Sequence, residues 1–289
     1  MIKNKKILIT GSKGFIGKNL NDYFKKKNKI YKTIYIDQNI LKKNNLPKNK
    51  KFNKFDVNPD IIFHCAGPSS VSESFKNPKL DFKKNYLTTK YLLKEFINNK
   101  KKPIIYIFSS AAVYGNNKRK LKPISPYGKN KLKVEKLCQY YSKKYKFEFI
   151  IMRLFSVYGK GLKKQFFWDI CNKLINRSFE FYGTGNEQRS WLHINDLIQA
   201  IEKLYIKRNK LITIDIGAPK PVKNKYIVNL FLKINKLKII PKFNFKTRKG
   251  DPKNLISNNE KIFTYNWFPK VKIETGINEY AKWFNKYYK

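Results

Sequence analysis

The first 155 residues alternate between short apolar runs and longer segments with helical periodicity. The apolar runs are predicted strands at residues 5–10, 30–37, 59–67, 102–110 and 147–155. The segments between them include predicted helices at residues 15–27, 80–98 and 125–145. This β-α alternation predicts an α/β fold, a doubly wound parallel sheet of the Rossmann type, over residues 1–155.

Beyond residue 155 the alternation becomes irregular, with scattered aromatic residues and loops. We therefore expect a smaller C-terminal α+β region over residues 156–289 that contributes to substrate binding. Residues 191–205 end in a strongly amphipathic helix. An apolar helix face needs a partner surface, so residues 191–217 are expected to pack back on the first domain.

Three glycines follow the first predicted strand, in the sequence GSKGFIG. Gly11 allows a tight turn, and Gly14 lets the backbone approach a pyrophosphate at the positive end of the next helix. Gly17 allows that helix to pack closely on the strand. This spacing differs from the G-x-G-x-x-G dinucleotide pattern, so the loop alone is also compatible with a purely structural turn.

Asp37 ends the second predicted strand, twenty residues after Gly17. A carboxylate at this point can accept hydrogen bonds from a ribose hydroxyl, and it would repel a 2′-phosphate. Together with the glycine loop, Asp37 predicts NAD rather than NADP as the cofactor. Lys42 and Lys43 lie nearby and weaken this preference without reversing it.

A serine, a tyrosine and a lysine suggest proton transfer. Ser110 ends a predicted strand, where a doubly wound sheet presents its ligands. Tyr127 and Lys131 are four residues apart, on one face of the helix that Ser125 is predicted to cap. A nearby ammonium stabilises a phenolate, so we expect Lys131 to lower the pKa of Tyr127 and make it a general base for an alcohol. In so lysine-rich a chain the Tyr–Lys spacing alone is also compatible with a surface aromatic.

The charge is strongly positive, with 64 Lys and Arg against 19 Asp and Glu and a net charge of +45. Only six of these cations are Arg, and the lysines are spread over the whole length. A nucleic-acid site would cluster its charge and favour Arg. We therefore interpret the charge as compositional bias and expect no specific nucleic-acid partner, only weak nonspecific binding to polyanions.

The apolar runs are too short for a membrane span, which needs about 18 apolar residues, and the first run is too short for a signal peptide. The three widely spaced cysteines, Cys65, Cys138 and Cys171, argue against a disulfide framework. We expect a cytoplasmic protein with no membrane partner. His64 and His193 lie in strand-like contexts and are predicted to be structural, with no metal site.

Several ordered motifs together resemble the extended short-chain dehydrogenase/reductase family, in its NAD-dependent sugar-nucleotide epimerase/dehydratase branch. They are GSKGFIG, HCAG, SSAAVYG, SPYGKNKLKVEKL, RLFSVYG, FYGTGNEQRSWLHINDL, RKGDP and WFPKVKIETGI. The resemblance covers nearly the whole chain. It implies an enzyme that oxidises a sugar hydroxyl with NAD and then completes an epimerisation, dehydration or reduction.

The resemblance also implies the roles of individual residues. Ser110, Tyr127 and Lys131 would be the catalytic set. The implied cofactor-binding residues are Gly11, Gly14, Phe15, Ile16, Gly17, Asp37, Ala66, Gly67, Tyr127 and Lys131. The implied substrate-binding residues are Ser72, Glu73, Ser110, Ser156, Arg189 and Arg248. Guanidinium forks at Arg189 and Arg248 suit a diphosphate. The family also implies a homodimer formed through the helices at residues 80–98 and 125–145.

The chain departs from the family pattern at several positions. The dehydratases carry an acidic pair after the serine or threonine, whereas this chain has Ala111 and Ala112. An alanine cannot transfer a proton, so dehydration is not expected. Ser156 and Asn258 replace residues that are usually Asn and Asp, and the adenine contacts between residues 38 and 58 cannot be assigned.

The sequence therefore predicts an NAD-dependent nucleotide-sugar epimerase that acts at C4 through a transient 4-keto sugar. An NAD(P)H-dependent 4-keto-sugar-nucleotide reductase on the same fold is the alternative enzyme. A nucleotide-sensing binding protein without catalysis and a polyanion-binding protein are the alternatives outside the enzymes. The sugar and the nucleotide base stay open, since loops at residues 165–168 and 181–183 would form the base pocket.

Overall fold

The computed structural model describes residues 5–26, 58–117, 120–204 and 211–288. Among these residues the main sheet has five parallel strands, numbered in chain order and arranged β1-β2-β3-β4-β9. They are β1 (Ile7–Thr10), β2 (Ile61–His64), β3 (Ile104–Ser110), β4 (Glu148–Leu154) and β9 (Leu211–Ile216). The predicted Rossmann-type α/β fold is confirmed. The predicted strand at residues 30–37, with Asp37, lies outside the described residues.

Helices cover both faces of this sheet. Alternate strand residues such as Ile9 and Phe63 pack with α1 (Phe15–Lys26) and α7 (Ile194–Leu204). Residues of the opposite face, including Ile62, pack with the two helices α4 (Thr88–Glu95) and α5 (Pro126–Tyr145). Both faces are apolar because a sheet buried on two sides has no solvent-facing residues.

The helix predicted at residues 80–98 is interrupted. After α2 (Val71–Lys76), the chain forms α3 (Pro78–Phe82), a π-helical turn (Lys83–Leu87) and then α4. A π turn inserts one extra residue per turn, and such turns often mark functional positions. Here the turn buries Asn85 beneath Gly67, at the end of β2.

The predicted start of α5 is confirmed at the level of single atoms. The Ser125 hydroxyl accepts a hydrogen bond from the Gly128 amide at 3.1 Å, and Pro126 occupies the first turn. A serine cap satisfies an amide that has no partner within the helix. The cap therefore fixes where the helix begins and which face carries Tyr127 and Lys131.

The C-terminal region contains a separate aromatic core. Its helices are α6 (Gln165–Ile175), α8 (Asn224–Ile234) and α10 (Ile273–Tyr288), whereas the short helix α9 (Glu260–Phe263) packs on the core of the main sheet, through Ile262. Its short strands pair as β5 (Ser156–Tyr158) with β8 (Trp191–His193), β6 (Glu180–Phe181) with β11 (Lys242–Phe243), and β7 (Gln188–Arg189) with β10 (Val222–Lys223). Strand β9 and helix α7 belong to the main sheet and its core. The domain boundary at residue 155 stays a prediction. Within the described ranges, no helix is long and apolar enough to cross a bilayer.

Candidate active site

The glycine loop lies between β1 and α1 at the carboxyl edge of the sheet. Gly11 has φ +67°, and a side chain there would meet the Ala66 backbone at 2.7 Å. A Cβ on Gly17 would approach the Gly11 carbonyl oxygen to 2.3 Å. Both positions therefore require glycine, and they bring the loop against the chain that leaves β2.

The same loop has the features of a phosphate cradle. A Cβ on Gly14 would meet only the Gly11 carbonyl oxygen within 4 Å, so this side of the loop faces open space. The Ser12 hydroxyl is buried and has no hydrogen-bond partner within the described part of the chain. Phe15 and Ile16 pack against the core and fix the first turn of α1. The loop thus presents amides at a helix N-terminus, as nucleotide phosphates require.

His64 holds the ends of β1 and β2 in one hydrogen-bond chain. Thr89 donates its hydroxyl proton to Asn85 O at 2.7 Å, so it accepts at 3.0 Å from His64 Nε2. His64 Nδ1 then accepts from Thr10 Oγ1 at 2.8 Å, and Thr10 accepts the Ala66 amide at 3.2 Å. Burial lowers the pKa of His64 to about 3, with a smaller effect from Lys131. The imidazole is therefore neutral, and both of its nitrogens are hydrogen bonded within the protein.

The predicted serine, tyrosine and lysine meet at the carboxyl end of β3. Ser110 and Tyr127 are hydrogen bonded through their side chains. The Lys131 ammonium lies 5.7 Å from the centre of the Tyr127 ring and donates to the Phe108 carbonyl at 2.9 Å. Tyr127 is only 6% exposed. The three side chains thus form one compact cluster at the edge where the sheet binds ligands.

The expected pKa shift of Tyr127 has the opposite sign in this structure. Burial raises the pKa of Tyr127 to about 12, against the hydrogen bond from Ser110, which lowers it; Asp81 raises it further. The expectation that Lys131 sets a low pKa is therefore wrong for this arrangement. The ammonium is bonded to Phe108 and not to the phenol, and an apolar environment disfavours the phenolate.

Lys131 is itself a buried cation. Burial lowers its pKa to about 8, while Asp81, Cys65 and Glu135 act to raise it and Lys164 acts to lower it. Asp81 is also buried and accepts hydrogen bonds from Asn85 at 3.2 Å and Asn130 at 2.7 Å. Near neutral pH Lys131 keeps its proton because these carboxylates compensate for the lost water.

Behind the cluster, Glu135 and Arg153 join α5 to β4. The Glu135 carboxylate accepts from Arg153 Nη2 at 2.7 Å, from Arg153 Nε at 3.1 Å and from the Ser109 hydroxyl at 2.5 Å. Arg153 Nη1 donates to the Tyr114 hydroxyl at 2.8 Å, and Tyr114 donates to Asp215 at 2.8 Å. Glu135 is 1% exposed. This network fixes α5, and with it Lys131, against three strands.

The segment around α2 borders the cluster. Ser74 is buried, donates to Val71 O at 2.6 Å and accepts the Tyr127 amide at 3.1 Å. Ser72 is exposed and lies 3.1 Å from the Ser70 hydroxyl, and the exposed Glu73 pairs with Lys76 at 2.8 Å. The structure therefore connects α2 to α5 through Ser74, while the substrate roles of Ser72 and Glu73 stay predictions.

The two predicted diphosphate arginines both act electrostatically on Asp251. The Arg189 guanidinium donates to the carbonyls of Gln188, Pro252 and Lys253 at 2.8–2.9 Å. Arg248 lies 4.5 Å from the centre of the Tyr182 ring and 3.2 Å from Asp169. They therefore belong to one basic corner, formed by β7 and the loop before residue 255.

Ala111 and Ala112 directly follow Ser110 in a short 3₁₀ turn, residues Ala111–Val113, and both are buried. Ser156 is half-buried at the start of β5, next to Trp191 of β8. The positions that the family resemblance assigns to the dehydratase acids thus hold methyl groups directly after Ser110, and a methyl group cannot transfer a proton.

The motifs on these elements match a known family. Residues 7–217 match the NAD dependent epimerase/dehydratase family. The chain belongs to this family. An epimerase/dehydratase of this kind depends on NAD, which agrees with the glycine cradle and its buried Ser12 hydroxyl. Groups of His, Cys, Asp and Glu that could hold a metal do not occur among the described residues.

Relatives of this epimerase/dehydratase match over almost the whole chain. An uncharacterised protein of Methanocaldococcus jannaschii is 30% identical, covering 98% of this chain and 97% of that protein. A putative UDP-glucose 4-epimerase of the same organism is 25% identical, covering 96% of this chain and 97% of that protein. The UDP-glucuronic acid 4-epimerase of Bacillus cereus, solved with UDP-glucuronic acid and NAD, has the same fold, with a TM-score of 0.85 and 24% identity over 98% of this chain and all of that one.

Sequence reasoning missed four residues of this site. Glu135 follows Lys131 by four positions, so helical spacing could have placed it on the same face. Asp81 lies in α3, Asn85 in the π turn and Lys164 immediately before α6. No local pattern marks these features, so the sequence alone offers no signal for them.

Proposed function

We propose that this protein interconverts C4 epimers of a UDP-sugar, with tightly bound NAD. The observation that carries the proposal is the buried Tyr127, hydrogen bonded to Ser110 beside Lys131, with alanines at the two following positions. The putative UDP-glucose 4-epimerase among its relatives and the shared fold of known UDP-sugar 4-epimerases support it.

In this proposal Tyr127 removes the proton of the sugar 4-hydroxyl, and Ser110 holds the same oxygen. When bound, NAD supplies a hydride acceptor and a positive charge that favours the phenolate over the buried phenol. The sugar then turns, so that the opposite face of C4 is presented for reduction. Tyr127 returns its proton to the 4-oxygen when that reduction occurs. Lys131 keeps a positive charge beside the phenol throughout, because Asp81 and Glu135 favour its protonated form.

Ala111 and Ala112 argue against dehydration. Loss of water from a 4-keto sugar needs one group to remove a proton and another to protonate the leaving hydroxyl. Methyl groups can do neither. The 4-keto sugar would therefore stay intact until it is reduced again, which gives epimerisation as the net reaction.

The test is an incubation of the purified protein with UDP-, GDP- and dTDP-hexoses, followed by chromatographic separation of the C4 epimers. We expect exchange of a UDP-sugar without net consumption of NADH. Tyr127→Phe should lower kcat by about 10²–10⁴. Tyr140→Phe, on the exposed face of the same helix, is the matched control and should leave kcat unchanged.

Two results would count against the proposal. Stoichiometric consumption of NAD(P)H with a 4-keto sugar would identify a reductase. Full exchange activity in Tyr127→Phe would show that another group carries the proton.

A further inference from the structure

The last residues of β3, which include Ser110, are paired on one side only. The register of β2 with β3 ends at His64 and Ile107. Among the described residues, positions 108–110 are therefore paired with β4 alone. A strand end with one neighbour is held less firmly than the strand centre, because fewer backbone hydrogen bonds fix it. The distance from Ser110 to Tyr127 thus depends on further contacts.

Helix α5 holds this strand end through two side chains one turn apart. Lys131 donates to the Phe108 carbonyl at 2.9 Å, and Glu135 accepts from the Ser109 hydroxyl at 2.5 Å. Ser109 and Glu135 are only 3% and 1% exposed, so water competes little for their bond. Residues four apart lie on one face of a helix, and Tyr127 is one turn before Lys131 on that face. The face that carries the phenol therefore also holds β3.

The Glu135 carboxylate joins both strands at this level. Ser109 of β3 and Arg153 of β4 are partners in the parallel register. Oε1 of Glu135 lies 2.5 Å from the Ser109 hydroxyl and 3.1 Å from Arg153 Nε, and Oε2 accepts from Arg153 Nη2 at 2.7 Å. The ion pair with Arg153 alone would connect α5 to β4. The Ser109 hydroxyl extends this connection to β3, the strand that carries Ser110.

Ser109 does not itself contact the reacting groups. Successive side chains of a strand point to opposite faces, so Ser109 and Ser110 leave β3 in opposite directions. The Ser110 hydroxyl accepts the Ala112 amide at 3.2 Å, a contact within its own turn that does not fix the spacing between β3 and α5. The bond from Ser109 to Glu135 does fix this spacing, one residue before Ser110.

We propose that Ser109 is a positioning residue, whose bond to Glu135 keeps Ser110 within hydrogen-bond reach of the Tyr127 phenol. Its role in turnover rests on the proposed epimerase function and adds a residue to it. A misplacement of about 1 Å can lower a rate by about 100-fold, so one buried hydroxyl at this point is sufficient to affect kcat. Substrate binding should change much less, because the predicted diphosphate arginines lie at a different corner, around Asp251.

The Tyr127 ring can report this role without turnover. In NAD-loaded protein labelled with ¹³C at the tyrosine Cζ atoms, the Tyr127 resonance is the one absent from Tyr127→Phe. Ser109→Ala should move this resonance in the same direction as Ser110→Ala does, because both changes weaken the hydrogen bond between Ser110 and the phenol. Ser109→Thr keeps the hydroxyl and should leave the resonance near its wild-type position.

Kinetics then separates positioning from a loss of stability. Ser109→Ala should lower kcat by about 10- to 100-fold and leave KM nearly unchanged. The matched control Asp196→Asn changes a buried carboxylate of α7 that accepts the amides of Lys270 and Val271 at 2.9 and 3.1 Å. This control should lower stability to urea but leave kcat and the Tyr127 resonance unchanged.

An unshifted Tyr127 resonance in Ser109→Ala would overturn the inference, whatever the activity. Equal effects of Ser109→Ala and Asp196→Asn on kcat would also overturn it, since Ser109 would then act only through stability. A shifted resonance in a protein without C4 exchange would remove the epimerase and keep the positioning of Ser110. Wild-type C4 exchange with an unshifted resonance in Ser109→Ala would keep the epimerase and remove the role of Ser109.

Discussion

The buried charge of Lys131 lowers the stability of the fold but lies where the proposed reaction would use it. Its ammonium is buried, donates to a backbone carbonyl and is surrounded by Asp81, Glu135 and Lys164. Since burial favours its neutral form, the folded protein holds this proton less firmly than the unfolded chain does. The charge is nevertheless retained beside the Tyr127 phenol.

Lys131→Met is therefore expected to inactivate the enzyme and to stabilise it. The native pKa of about 8 lies below the ordinary 10.5, so the unfolded state binds more protons between these values. The contribution of Lys131 to the free energy of unfolding therefore rises with pH between these two values. Its destabilising effect is greatest below pH 8. We expect Lys131→Met to be more stable by about 1–3 kcal/mol at pH 7, after loss of the bond to Phe108.

Urea unfolding of both proteins at pH 7 and pH 9.5 measures this difference. The advantage of the variant should shrink at the higher pH, where the native lysine has lost its proton. A variant less stable than the wild type at pH 7 would show that the Phe108 hydrogen bond outweighs the burial of charge.

At the scale of single residues, the sequence predicts which side chains form the candidate site. The order Ser110, Tyr127, Lys131 and the i, i+4 spacing are visible in the sequence. The direction of the Tyr127 pKa is not, because it depends on burial by α2 and β3 and on the distant Asp81. The sequence predicts the charge of Lys131, four residues after Tyr127. It does not predict that the Tyr127 phenol is buried away from water.

At the scale of the elements, a chain of hydrogen bonds joins β1, β2 and α4, and each group in it donates to the next. It passes from the Ala66 amide through Thr10, His64 and Thr89 to the Asn85 carbonyl. A protonated imidazole has no acceptor nitrogen, so it would break the bond from Thr10. The chain is therefore complete only with a neutral histidine.

This arrangement predicts an acid-sensitive fold. Because the pKa of His64 falls from 6.5 to about 3, the unfolded state binds a proton that the native state does not. Stability is present above pH 6.5 and is lost as the pH falls towards 3. Between pH 6.5 and 5, His64 should remove about 2 kcal/mol of the free energy of unfolding.

Urea unfolding of the wild type and His64→Gln over this pH range tests the prediction. The variant should be less stable at pH 7 but should lose less stability on acidification. Parallel pH profiles would mean that other groups cause the acid sensitivity.

The Glu135–Arg153 pair predicts a strong coupling between α5 and β4. Glu135→Leu should lower the free energy of unfolding by about 3–5 kcal/mol, because it leaves a guanidinium without its charge partner. The double variant Glu135→Leu/Arg153→Met should lose less than the sum of the two single variants. A double-mutant cycle of urea unfolding measures this coupling, and additive losses would contradict it.

At the scale of the whole molecule, the regular alternation up to residue 155 and the amphipathic helix within residues 191–205 could be predicted, whereas the short C-terminal strands could not. Strands and helices such as β3 and α5 have a period that the sequence displays directly. The C-terminal strands have two or three residues and pair with distant segments, as β6 does with β11. Contacts such as that of Lys164 with Ser69 depend on how these segments assemble, so no local pattern in the sequence predicts them.

The net charge of +45 predicts a further property of the whole molecule. Nonspecific binding to a polyanion such as DNA or heparin should fall steeply between 50 and 200 mM salt, since it depends on release of counterions. Binding of the substrate in its cleft should change much less. Filter-binding and calorimetric titrations over this range compare the two, and salt-resistant DNA binding would indicate a specific nucleic-acid site.

Ser74 has one more consequence for how such an enzyme would work. Its hydroxyl accepts the Tyr127 amide in the first turn of α5, yet Ser74 itself belongs to α2. Any displacement of α2 away from α5 would release that amide. In the proposed mechanism, the position of the base therefore depends on α2 staying in place.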